Sequence, residues 1–131
     1  MFYNSKEGIL TTDNMHLDYI TFGNGNKPLV LIQGLNTRGI KGSSVSLAYM
    51  FRIFTKEYKV YVFDRKENIP EGYTVRDIAK DVAAAMDKLN ITKADVVGVS
   101  QGGMISQYLA IDRPDLHRTA FRALVLAVKV A

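Results

Sequence analysis

Cysteine is absent from the 131 residues, which excludes disulfides and thiolate metal sites while saying little about compartment. Only two histidines, His16 and His117, are available for proton transfer. The opening Met1-Phe2-Tyr3-Asn4-Ser5-Lys6 lacks a basic region followed by an apolar run, and no stretch is long enough to span a bilayer, so a cytoplasmic protein without membrane partners is expected. No internal repeat or low-complexity segment is present. The net charge of +4 is modest, and the basic residues alternate with Asp and Glu through turns and helix faces. That pattern reads as a solvated surface, not a nucleic-acid interface. A hydrophobic content of 47% suits one soluble domain over residues 1–131 with a proper core.

What is present is organised around Val96-Val97-Gly98-Val99-Ser100-Gln101-Gly102-Gly103-Met104. A β-branched run breaks on a glycine, presents one serine and continues through two more glycines, which is G-x-S-x-G between a strand and a helix. The glycines at two removes on either side, Gly98 and Gly102, would let strand and helix pass close together, and the serine would take strained backbone geometry. The free N–H groups and positive dipole end of the following helix would face Ser100 Oγ, a setting suited to a nucleophile and an oxyanion. Alone, the pentapeptide also fits an ordinary tight turn or a phosphate-binding helix start. It matches neither G-x-G-x-x-G, because Ser100 takes the second glycine position, nor the P-loop, because no Gly-Lys-Ser/Thr follows.

The chain upstream is a regular alternation. Met1 to Leu10 holds a weak first strand, and Met15 to Phe22 alternates apolar and polar residues as a half-buried strand does. After the turn Gly23-Asn24-Gly25-Asn26-Lys27-Pro28, the run Leu29-Val30-Leu31-Ile32 is apolar without alternation, as in a central parallel strand covered on both faces. A glycine-rich loop, Gln33 to Gly42, stands at its carboxyl end, where α/β sheets place ligands. A helix from Ser43 or Ser44 to about Thr55 would put Leu47, Met50, Phe51 and Phe54 on a core face, with no cofactor needed to explain them. Lys59 to Phe63 is a strand ending on Asp64-Arg65. Thr74 opens a long helix with Asp77 in a capping-box arrangement; Val75, Ile78, Ala79, Val82, Met86 and Leu89 form its apolar stripe, and Arg76, Lys80, Asp81, Asp87 and Lys88 its wet side. The helix after Ser100 should stop near Arg113 because Pro114 follows, and Ala123 to Val130 is one more strand.

This order of elements resembles the N-terminal half of an α/β-hydrolase, truncated after the sixth strand: a mostly parallel, right-handed sheet in a three-layer sandwich. The matching features are the nucleophile elbow at Gly98 to Gly102, the strand and glycine loop at Leu29 to Gly34, and the Asp64-Arg65 strand end. The resemblance implies two-step acyl transfer on an ester, amide or thioester of a small-molecule substrate, with Ser100 as nucleophile and no cofactor or metal. It implies an oxyanion hole from the N–H of Gln101 and that of Leu35 or Asn36, although Gln33-Gly34 replaces the common His-Gly.

The family places its acid and histidine beyond the sixth strand, and neither histidine here takes that place. His117 falls past a helix of about twelve residues, roughly 18 Å from Ser100, and His16 about 14 Å away across three strands. Hydrogen bonding needs about 3 Å. Asp64, Asp112 and Asp115 read as strand-end, helix-end and turn residues. The segment Asp115 to Arg122 also departs from the family pattern. Two further expectations follow: weak or absent activity of this chain alone, and association through the apolar edge strand Ala123 to Val130, with another copy or a missing second half. Phosphate or nucleotide binding at the Ser100 helix start is the remaining alternative.

Overall fold

The computed structural model describes residues 3–34, 39–67 and 69–118, together with the backbone of Val125 and Leu126. Six strands form one sheet in the order β1-β2-β4-β3-β5-β6: β1 Lys6–Thr12, β2 Met15–Phe22, β3 Lys27–Ile32, β4 Tyr58–Phe63, β5 Asp95–Val99 and β6 Val125–Leu126. β1 pairs antiparallel with β2 and β2 with β4, whereas β3 pairs in parallel with both β4 and β5, and β5 with β6. Of the expected strand from Ala123 to Val130, only Val125 and Leu126 are described; they pair with Gly98 and Val99. The remaining residues of that strand, and Thr119 to Arg122, lie outside the described residues.

The unbroken apolar run in β3 has the expected cause. Val30 and Ile32 join a core beneath α2 (Val75–Lys88) and α3 (Gln101–Asp112), with Val96, Met86, Ile105 and Leu109. Leu29 and Leu31 point the other way, into a second core with Val60, Val62, Val97 and Leu47 of α1 (Ser44–Met50). The sheet is therefore covered on both faces. Each such aliphatic side chain contributes roughly 1.5–3 kcal/mol by leaving water.

Local chemistry sets the helix limits. Thr74 Oγ1 accepts from the Asp77 N–H at 3.1 Å, and Asp77 Oδ2 accepts from the Thr74 N–H at 2.9 Å, closing the capping box at the start of α2. α3 stops at Asp112; Arg113, before Pro114, leaves helical geometry at φ −136°, ψ 69°.

The helix expected to run to about Thr55 is shorter. α1 ends at Met50, and Arg52–Phe54 is a separate 3₁₀ turn. Met50 is 66% exposed and so is not a core residue. Both Leu47 and Ala48 are buried, so the inward direction lies between them, and at 3.6 residues per turn Met50 falls well to one side of it. Asp81 also departs from the expected wet face, being half-buried and accepting from the Tyr73 hydroxyl. Among the described residues no helix is long and apolar enough to cross a membrane.

Candidate active site

β5 ends at Val99 and α3 begins at Gln101, so a single residue makes the turn between them. Ser100 does so at φ 57°, ψ −122°, a conformation an L-residue adopts at a cost on the order of 1–3 kcal/mol. The flanking glycines hold it there. A Cβ on Gly98 would lie 2.6 Å from Gly103 Cα, and one on Gly102 would overlap the Ile32 carbonyl. α3 thus leaves β5 and passes β3 at backbone contact.

The serine is exposed at the carboxyl end of the sheet. Gly103 N–H donates to the Ser100 carbonyl at 2.9 Å. The first N–H groups of any helix, here those of Gln101 and Gly102, have no carbonyl earlier in the helix to bond, and they carry its positive dipole end. They face the turn that presents Ser100. The side chain of Gln101 contributes a buried Oε1 with no hydrogen-bond partner among the described residues.

The loop leaving β3 closes the other side. A Cβ on Gly34 would stand 3.2 Å from Ser100 Cβ and 3.5 Å from Ser100 Oγ, so its backbone lies directly against the serine. Leu35 and Asn36, the expected second oxyanion donors, lie outside the described residues.

Neither histidine approaches this place. His16 lies on β2, three strands from β5, with Nδ1 3.0 Å from Thr11 Oγ1. His117 forms a parallel bridge with Ala94, which precedes β5, while Ser100 follows it. Six steps of strand at about 3.3 Å put the two ends roughly 20 Å apart. His117 Nδ1 sits 2.7 Å from the Arg118 carbonyl.

The aspartates are likewise committed. Arg76 donates to Asp112, and Arg113 to Asp115 at 3.0 Å, and these guanidinium contacts hold both carboxyls below their usual range. Asp64 and Arg65, expected only to end a strand, reach the loop after β3. Asp64 Oδ2 accepts from the Ile40 N–H at 3.1 Å, and Arg65 Nη2 donates to the Gln33 carbonyl at 3.0 Å. Their signal was a charged pair closing a strand beside the one that feeds the glycine loop.

A groove of about 580 Å³ between α2 and α3 is lined by Ala79, Ala83 and Leu109 and flanked by the Arg76–Asp112 and Arg113–Asp87 pairs. It gathers no strand-end residue and lies apart from the serine turn. Among the described residues no group of three or more His, Asp or Glu side chains is arranged to hold a metal ion.

A sheet with parallel central strands, helices on both faces and a strained serine between strand and helix defines an α/β-hydrolase framework. Residues 27–127 match the family model of the alpha/beta hydrolase fold, and the chain belongs to that family. It is 30% identical over 111 residues to 3-oxoadipate enol-lactonase 2 of Acinetobacter baylyi, a match covering 81% of this chain and 40% of the lactonase. Among solved structures, Est816, described as an N-acyl homoserine lactone degrading enzyme, superposes with a TM-score of 0.69 at 27% identity, covering 90% of this chain and 44% of that one. Cfl2 from Burkholderia cenocepacia superposes with a TM-score of 0.77 at 16% identity, covering 95% and 42%, a likeness of fold alone. The chain thus spans about two-fifths of the length of the relatives it matches.

Proposed function

We propose that this chain supplies the nucleophile side of a serine hydrolase site acting on esters, amides or thioesters, with esters, lactones included, favoured within that class. The observation that carries the reading is Ser100 at φ 57°, ψ −122°, at the head of α3 and against Gly34. Backbone strain of this kind persists only where the surroundings impose it, and it concentrates at reactive positions. The ester preference rests on the names of two relatives, an enol-lactonase and a homoserine-lactone-degrading enzyme.

In the step assigned to this chain, Ser100 Oγ gives up its proton to a base and bonds to the substrate carbonyl carbon. The carbonyl oxygen becomes an oxyanion that the Gln101 N–H and the α3 dipole stabilise, and its collapse expels the leaving group. The base must come from outside the described residues, since His16 and His117 stand elsewhere. In the family the acid and histidine follow the sixth strand, in sequence beyond the two-fifths spanned here. A serine that lacks such partners is a weak nucleophile, with a remaining rate supplied by the oxyanion hole and binding.

Intact-mass measurement after incubation with a fluorophosphonate tests this, wild type beside Ser100→Ala. One slow adduct on the wild type and none on Ser100→Ala is the expected result. A folded wild type that never acquires the adduct would sink the reading and leave the turn as an inherited feature or an anion site.

A further inference from the structure

β4 and β3 run in parallel with Leu31 opposite Val62, so the residues after each strand emerge side by side. From β3 emerges the loop that is described at residues 33, 34, 39 and 40, and from β4 the dipeptide Asp64-Arg65. These two neighbours reach opposite ends of that loop. At its start, Arg65 Nη2 donates to the Gln33 carbonyl at 3.0 Å and, more weakly, to the Gly34 carbonyl at 3.4 Å. At its end, Asp64 Oδ2 accepts from the Ile40 N–H at 3.1 Å, while Asp64 Oδ1 accepts from the Arg65 N–H at 2.8 Å. The loop is pressed close there, since a Cβ on Gly39 would lie 2.8 Å from Asp64 Oδ2. Ile40 then anchors it in the core at 3% exposure.

Stability alone is a poor reason for an arginine here. Its Nε is buried without a partner among the described residues, and burial pushes the guanidinium below its ordinary pKa, with Asp64 drawing it partly back. Desolvating a guanidinium to serve neutral carbonyls costs more than packing an aliphatic side chain of similar size. The arrangement does have an electrostatic consequence for the serine. On the hydrolase reading negative charge develops beside Ser100, against which the Gly34 backbone lies, and unpaired carbonyls in that neighbourhood would oppose it. Arg65 pairs those of Gln33 and Gly34. Because C=O and N–H of one trans peptide point in opposite directions, a donor on the Gln33 carbonyl also sets where the Gly34 N–H can aim.

We propose that Asp64 and Arg65 are positioning residues, a two-ended clamp that fixes the loop after β3 against Ser100 and orients its first peptides for oxyanion binding. The inference rests on the hydrolase reading for its chemical consequence and on hydrogen-bond geometry for its mechanical one. Two separate readouts follow.

The variants are Arg65→Met, Arg65→Lys and Asp64→Ala in the full chain. Amide hydrogen exchange of a peptide spanning residues 33–40 reports the clamp, with an α2 peptide as internal control. The rate constant at saturating fluorophosphonate and its half-saturation concentration report the chemistry. Arg65→Met should speed exchange of the loop but not of α2, and lower the saturating rate about ten- to hundredfold with half-saturation changed less than about twofold. Arg65→Lys should recover part of that rate, and Asp64→Ala should release the Ile40 end alone. If Arg65→Met fails to fold, the two milder variants decide. Unchanged loop exchange in the folded variants overturns the clamp; faster exchange with an unaltered saturating rate overturns its role in positioning. A wild type that never labels defeats the hydrolase reading, and the exchange data then decide the clamp by themselves.

Discussion

Gly34 and Ser100 meet across the carboxyl ends of β3 and β5, close enough that a methyl group on Gly34 would fit only tightly against the serine. A Cβ there would sit 3.2 Å from Ser100 Cβ, tight enough that one of the two must shift by a few tenths of an ångström. Gly34→Ala should therefore cost little stability, because the exposed serine can move outward. It should lower fluorophosphonate labelling about tenfold through misplacement of Oγ. Labelling time courses beside urea unfolding check this, and an unaltered rate would show that the contact does not align the nucleophile.

The strain at Ser100 makes a prediction about stability. Glycine adopts φ near 57° without the steric cost a serine or alanine bears. Ser100→Ala keeps the strain and removes only the hydroxyl, whereas Ser100→Gly releases it. Ser100→Gly should accordingly be the more stable of the two by roughly 1 kcal/mol, the released strain being partly offset by the greater chain entropy of glycine. Equal urea midpoints would mean that the turn is relaxed in solution.

Much of this was legible because its causes are local. Thr74 and Asp77 stand three residues apart and cap α2 as their spacing predicts, and Pro114 ends α3 by excluding helix from the residue before it. The glycines around Ser100 announce close backbone contact by having no side chain. Met50 misled because the inward direction of a seven-residue helix is set by where the second core lies, which spacing does not contain. The reach of Asp64 and Arg65 was hidden for another reason. Arg65 meets Gln33 across 32 positions of sequence and Asp64 meets Ile40 across 24, and only the parallel pairing of β3 with β4 brings them together.

The placement of the histidines gives a prediction of no effect. His16 sits on β2 beside Thr11, and His117 at the far end of β5 beside Ala94. Neither reaches Ser100 by any side-chain rotation. His16→Ala and His117→Ala should each leave the labelling rate within about twofold of wild type, since a general base contributes about 10²–10⁴-fold where it acts. A drop of that size in either folded variant would place a histidine at the serine and refute the reading that the base comes from elsewhere.

Two aspartates on the helical face should respond to pH with opposite sign. Hydrogen bonding to Arg76 holds Asp112 below its ordinary value of 3.8. A lowered folded pKa means stability that is present above 3.8 and lost as pH falls through the folded value. Asp81 is the reverse case: burial pushes its carboxyl above 3.8, with the Tyr73 hydroxyl and Lys66 drawing it only partly back. A raised folded pKa means stability that is full below 3.8 and lost as pH rises through the folded value. Asparagine at either position removes the titration, and at 81 it still offers an oxygen to Tyr73. Asp112→Asn should therefore unfold at lower urea than wild type at neutral pH, and Asp81→Asn at higher urea. The Asp81→Asn gap should narrow as pH falls toward 3.8, whereas the Asp112→Asn gap should persist down to 3.8 and narrow only below it. Urea midpoints across that range decide it, and a gap for Asp81→Asn that is negative at neutral pH would mean that the Lys66 and Tyr73 contacts outweigh the cost of burying the charge.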